Sequence, residues 1–209
     1  MAKKKAEPTE LRPWDRRPWP SDGNRPEEVF TAVGMALSKW EMYDAQLSLL
    51  FGAFVSNSID MSPALRAYGA VRTFEGRTEM LRASSETYFS EKPHLGLQNR
   101  FKPILKDAKN FSPRRNEIAH GVVDRFQLAD EVPIPVGPRD KCALFPPYAT
   151  FKDRDVRLTP LYCYGAPEIL YFEGQFNKLM FEANNFAGEI FLMVQRDSSA
   201  RTDQKQSRE

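Results

Sequence analysis

Residues 26–56 read PEEVFTAVGMALSKWEMYDAQLSLLFGAFVS. Val29, Val33, Leu37, Trp40, Leu47, Phe51 and Phe54 recur along this stretch at three- and four-residue steps, the period of one buried face of an α-helix. Pro26 suits a first helical turn, and Glu27 and Glu28 put carboxylates at the positive end of the helix dipole. The pattern predicts a helix to about Ser56 and a chain organised around amphipathic helices.

Working toward the C-terminus, Ser62-Pro63 predicts the cap of a second helix, with Ala67, Val71, Phe74, Thr78, Leu81 and Tyr88 on one face. A third helical segment follows Pro93, carries Leu97, Phe101, Leu105 and Ala108, and is expected to bend or start at Pro103. Ser112-Pro113 then predicts the start of a further short helix. After Gly121 the period changes. Val122 to Leu128, Cys142 to Tyr148 and Leu158 to Tyr164 are short β-like runs separated by turn residues. A long final helix is expected from Pro167, with Ile169, Phe172, Phe176, Leu179, Ala183, Phe186, Ile190 and Met193 as its apolar stripe. These readings add up to a mainly α fold, a four- to five-helix bundle with a small β-hairpin insertion at about 122–165, before the last helix. The helical domain spans 26–195. Residues 1–25 form a basic, Pro-rich leader expected to be flexible or to pack as a strap, and 196–209 read as a disordered polar tail.

Composition narrows the class. Of the 209 residues 41% are hydrophobic, enough for one ordinary core. A mean hydropathy of −0.55 speaks against a membrane protein. The longest nearly unbroken apolar run, Leu47 to Val55, is far shorter than the ~20 residues needed to span a bilayer. Met1-Ala2-Lys3-Lys4-Lys5 is followed by polar sequence rather than an apolar signal segment. Cys142 and Cys163 are too few for a disulfide framework and lack the spacing of a zinc site, so a reducing cytoplasm is expected, with no metal and no cofactor. The net charge of +2 neither demands nor excludes a nucleic-acid partner.

The chemistry concentrates at Ser112 to Gly121, S-P-R-R-N-E-I-A-H-G, where Arg115, Asn116 and His120 form R-N-x-x-x-H and use one of only two histidines in the chain. At about 100° per residue, Arg115 falls beside Ile118, Ala119 and Val122, at the edge of the inward stripe. Its guanidinium there needs an anion or a second surface to face. Asn116 and His120 are four apart and neighbours on the next face, so Asn116 is placed to hydrogen-bond a ring nitrogen of His120. Arg114 points to the other side of the wheel. A histidine beside an arginine meets the needs of RNA cleavage without a metal: His120 as general acid or base, Arg115 stabilising charge on phosphorus. One histidine per chain supplies half of an acid–base pair, and a two-fold dimer supplies the other half.

The R-N-x-x-x-H run on a late helix of a small bundle resembles the HEPN superfamily, whose hallmark is Arg followed by a polar residue, with four to six positions before His. The resemblance covers roughly Glu28 to Gln195, and only the motif is specific. It implies a homodimeric, metal-independent endoribonuclease that leaves a 2′,3′-cyclic phosphate and a 5′-hydroxyl, acting as a toxin or antiviral defence effector. RNA is then the substrate, and an antitoxin or operon partner is implied. The alternative is a catalytically inactive HEPN-like binding or scaffold module that keeps Arg115 for dimerisation. A nucleotide sensor ranks last, because no Gly-rich phosphate loop is present.

The remaining polar residues read more simply. Asp44 falls on the apolar stripe of the first helix, where a lone carboxylate is costly, so it should pair with a buried cation. Arg115 is one candidate, in a supporting role at the site, and a structural bridge to Arg72 or Arg77 is preferred. Glu41 reads as a solvated helix charge, His94 as surface, and Tyr162, Cys163 and Tyr164 as core and edge packing.

Overall fold

The computed structural model describes residues 10–56, 60–147 and 159–206. Within them the order is α1 (Pro26–Val55), α2 (Ser62–Ala70), α3 (Phe74–Glu91), α4 (Leu95–His120), β1 (Val122–Arg125), β2 (Gln127–Ala129), β3 (Val132–Ile134), β4 (Cys142–Phe145) and α5 (Ala166–Gln206). The fold is mainly α, with a small antiparallel β region before the last helix. Among the described residues no helix is long and apolar enough to cross a membrane.

The apolar stripes of α1 and α5 meet to form the core. Val29, Leu47 and Leu50 of α1 and Ile169, Phe172, Phe176 and Ile190 of α5 are fully buried. Trp40 sits at the centre, edge-on to Tyr43 and to Phe176 at ring distances of 5.5 and 5.1 Å. Helix α4 closes the bundle: Phe101 stacks on Phe186 at 5.5 Å, and Phe111 meets Phe176 edge-on at 6.1 Å.

The expected second helix is two. Helix α2 stops at Ala70 and Val71 is extended, then Thr73 caps α3 by accepting from the Gly76 N–H at 3.1 Å. The threonine hydroxyl offers the backbone a cap where a continuous helix would need a β-branched pair, Val71 and Thr73, in its interior. The third and fourth expected helices are one. Pro103 and Pro113 both lie inside α4, on its exposed side, where the carbonyls they leave unpaired can face water. Burial of Phe101, Ile104, Ala108, Phe111 and Ile118 on the opposite side carries the helix through both. The motif therefore ends a 26-residue helix instead of starting a short one.

The β region is two nested antiparallel pairs, β1 with β4 and β2 with β3. The expected run Val122–Leu128 is broken at Phe126, which is buried and whose N–H donates to the Lys141 carbonyl at 2.8 Å. Asp130 and Glu131, at φ 50° and 63°, make the two-residue left-handed turn that suits a tight hairpin. Of the run Leu158–Tyr164, Leu158 lies outside the described residues, and Tyr164 pairs with Leu144 as an isolated bridge.

Residues 10–25 pack along the bundle as a strap. Trp14 packs edge-on against Phe111 at 6.1 Å, and the Arg17 guanidinium lies 4.3 Å over the Tyr171 ring. Asn24 exchanges two backbone hydrogen bonds with Cys142, and its side-chain carbonyl accepts from Ala166 N at 2.9 Å, capping α5. At the other end α5 runs to Gln206, through the stretch that composition assigns to a disordered tail. No Gly or Pro interrupts 196–206, so an established helix can propagate through polar sequence.

Cys163 is fully buried, and burial, with the Glu168 carboxylate nearby, pushes its thiol well above the ordinary range. A raised thiol holds little thiolate at pH 8, and thiolate is the reactive form. A thiol-specific reagent at pH 8 is therefore expected to leave Cys163 unmodified in the native protein and to label it on unfolding. Rapid native labelling would show that the segment opens.

Candidate functional site at the end of α4

The last two turns of α4 divide their side chains between two environments. On the inner side Glu117 is the hub of a part-buried network. The Arg16 guanidinium of the strap donates to Oε1 at 2.7 and 2.9 Å, Arg114 pairs with Oε2 at 3.1 Å, and the Tyr164 hydroxyl donates to Oε2 at 2.6 Å. The Tyr162 hydroxyl donates to the Glu117 backbone carbonyl at 3.1 Å. Arg114 and Glu117 are each only 11% exposed. Burial, with Glu117 beside it, holds the Tyr164 phenol well above its ordinary range. This network fixes the rotation of α4 and so decides where the motif points.

On the outer side Arg115 opens onto a polar cleft of about 520 Å³ between α1, the start of α3 and α4. Asp44, Arg77 and Arg72 line it, with Glu41 and Asn116 at its edge. Asp44 is buried and does not pair with Arg115. It receives Arg77 Nη1 and, at 2.9 Å, the Tyr68 hydroxyl, while Arg77 Nε donates to the Val71 carbonyl at 2.8 Å. Asp44 therefore ties α1 to the α2–α3 turn, the structural bridge preferred on sequence grounds. Its supporting role toward Arg115 has no direct contact behind it.

Arg115 instead faces Glu41, at 2.9 Å from Nη2, and donates from Nη1 to Asn116 Oδ1 at 3.4 Å. Its Nε is buried without a partner. Glu41 is 59% exposed, so water and salt screen the pair, and an anion of higher charge can take its place. Arg72 lines the same cleft, is exposed, and has no carboxylate partner among the described residues. The cleft can therefore offer two guanidiniums to one anionic group.

His120 is the last residue of α4 and is exposed. It does not line the cleft, and among the described residues no hydrogen bond joins it to Asn116, whose carbonyl oxygen is turned to Arg115. The structure thus brings Arg115, Asn116 and Asp44 to one cleft and leaves His120 beyond its edge. Gly121, the following residue, is extended at φ −68° rather than left-handed. Its lack of a side chain matters for packing: a Cβ there would lie 2.6 Å from Leu144 Cγ and 2.9 Å from the Glu117 carbonyl. Helix α4 is seated directly on β4 at this point.

The sequence does not place Glu41, read as a solvated charge, Arg72, read as a partner for Asp44, or Glu117 at the motif. Glu41 and Arg72 stand on helix faces or turns where charges are usual, and only the fold brings them to the motif. Glu117 carries a local signal, since it lies three residues after Arg114 inside the motif. Comparison of the chain with protein-family models, with curated proteins and with solved structures finds no match.

Proposed function

We propose that the chain is a metal-independent endoribonuclease of the HEPN type, active as a homodimer. The observation that supports this reading is Arg115: a guanidinium at the edge of a polar cleft, held by one screened carboxylate and a long hydrogen bond to Asn116, on the same helix end as an exposed histidine. In the proposed reaction the ribose 2′-oxygen attacks phosphorus, its proton passes to one His120, and the P–O5′ bond breaks. The 5′-oxygen leaves as a hydroxyl with a proton from the second His120, and the phosphate closes as a 2′,3′-cyclic diester. The phosphate takes the place of Glu41 on Arg115, which then stabilises the charge that builds on the phosphoryl oxygens. Because His120 stands outside its own cleft, the dimer has a specific task, to set the two α4 ends together so that both imidazoles meet at one Arg115.

Purified protein incubated with total RNA in EDTA tests the reading. His120→Ala and Arg115→Ala are each expected to slow cleavage about 100-fold or more, with unchanged melting temperature and oligomeric state. The Arg115–Glu41 pair also fits a second reading, an inactive binding module in which the arginine is a structural contact. Failure of the unaltered protein to cut any RNA class, with the fold intact, selects that reading.

A further inference from the structure

Helix α4 carries a second feature that meets the cleft only at Asn116. At about 100° per residue, Lys102, Lys106, Lys109, Pro113, Asn116 and His120 all fall within about 40° of one line, and all six are exposed. With 1.5 Å of rise per residue the line is about 27 Å long. The two carboxylates of α4, Asp107 and Glu117, lie outside it.

Beside the first half of this line runs a groove of about 400 Å³ between α3 and α4, with Phe89, Phe101 and Leu105 in its lining. The cations along it are not equally neutralised. Arg82 pairs with Glu79 and Glu86 at 2.8 and 2.6 Å, and Lys109 with Glu79 at 2.5 Å. Lys102 reaches only the side-chain carbonyl of Asn99 at 3.5 Å, and Lys106 has no carboxylate partner among the described residues. Two ammonium groups on one helix face therefore lack a counter-charge, next to an apolar trough.

We infer that this line is a track for single-stranded RNA: Lys102 and Lys106 neutralise successive phosphates, a splayed base enters the trough, and the strand runs on to Asn116 and His120. The inference rests on the ribonuclease reading for what happens at the end of the track. Steps of about 6 and 4.5 Å of rise between the lysines suit a regular polyanion. The track ends on an amide and an imidazole rather than on more lysines, which separates holding the backbone from acting on it. An apolar trough favours a single strand, because a duplex keeps its bases stacked inside.

The test uses fluorescence anisotropy with a labelled single-stranded oligoribonucleotide of about twelve nucleotides, and protein carrying His120→Ala so that the probe survives. Adding Lys102→Glu and Lys106→Glu is expected to weaken binding at least tenfold at about 0.1 M salt and to reduce the slope of log K against log salt by about 1.4, two phosphate contacts at ~0.7 each. Lys102→Arg with Lys106→Arg should keep both affinity and slope, and equal melting temperatures show that the fold is intact. Unchanged affinity and slope in the glutamate pair, no binding at all, or tighter binding of a Glu-rich peptide of the same charge would each overturn the track, the last in favour of an acidic protein partner. Lysine-dependent binding by a protein that cuts no RNA keeps the track and removes the ribonuclease reading, so the two fail separately.

Discussion

Glu117→Ala is expected to cost about 3–5 kcal/mol of stability, the range for removing one partner of a buried ion pair. The alanine leaves Arg114 buried with no carboxylate, removes the acceptor of the Tyr164 hydroxyl, and frees Arg16 of the strap. Arg114 dominates the loss, because Arg16 is 37% exposed and water can replace part of its interaction. For a chain of this length the melting temperature should fall by ~10 °C. Trypsin should then cut after Arg16 well before the bundle unfolds; Arg17 precedes Pro18 and is protected. Replacing Arg114 and Glu117 together by apolar residues of similar size should recover much of the stability, since no charge is then left buried alone. A single-variant loss under about 1 kcal/mol would mean that packing, not this network, holds the end of α4.

Asp44→Ala is expected to be the second most damaging change, at about 3 kcal/mol. Asp44 and Arg77 are 10% and 24% exposed, so the guanidinium left behind is poorly solvated. The Tyr68 hydroxyl loses its acceptor as well, and burial and the Asp44 carboxylate already hold that phenol well above its ordinary range. Asp44→Asn keeps an acceptor for Tyr68 and should cost less. Thermal melts of the two variants give the stability terms, and RNA cleavage below their melting range gives the functional one. Under the proposed ribonuclease reading, folded Asp44→Asn should keep full cleavage, because Asp44 holds the α1–α3 contact rather than Arg115. Loss of cleavage with the fold retained would return Asp44 to the active machinery.

Much of the framework is legible in the sequence for one reason: α1 and α5 bury long faces, and long faces leave a period. Pro26, Glu27 and Glu28 mark the start of α1 because the chemistry of a helix N-terminus is local. The errors fall where a local signal competes with burial elsewhere. Pro103 and Pro113 look like breaks, yet both lie on the exposed side of a helix whose other side is core. Val71 to Thr73 looks continuous, yet a single hydroxyl cap divides it. The candidate site is legible only in part. Arg115, Asn116 and His120 stand out by spacing, but Glu41 and Arg72 reach the cleft through tertiary packing, which spacing along one helix cannot reveal.

The strap has a consequence for how the site comes into being. Asn24 and its Ala166 partner are 142 residues apart, and Arg16 and Glu117 are 101 apart. At ~5–20 residues per second of synthesis, the strap leaves the ribosome on the order of ten seconds before its last partner does. Contacts of such long sequence separation also close late in folding. The end of α4 therefore acquires its final orientation only once α5 has been made. A partly synthesised chain would display the R-N-x-x-x-H run on a helix not yet locked in place, so the site matures with completion of the chain.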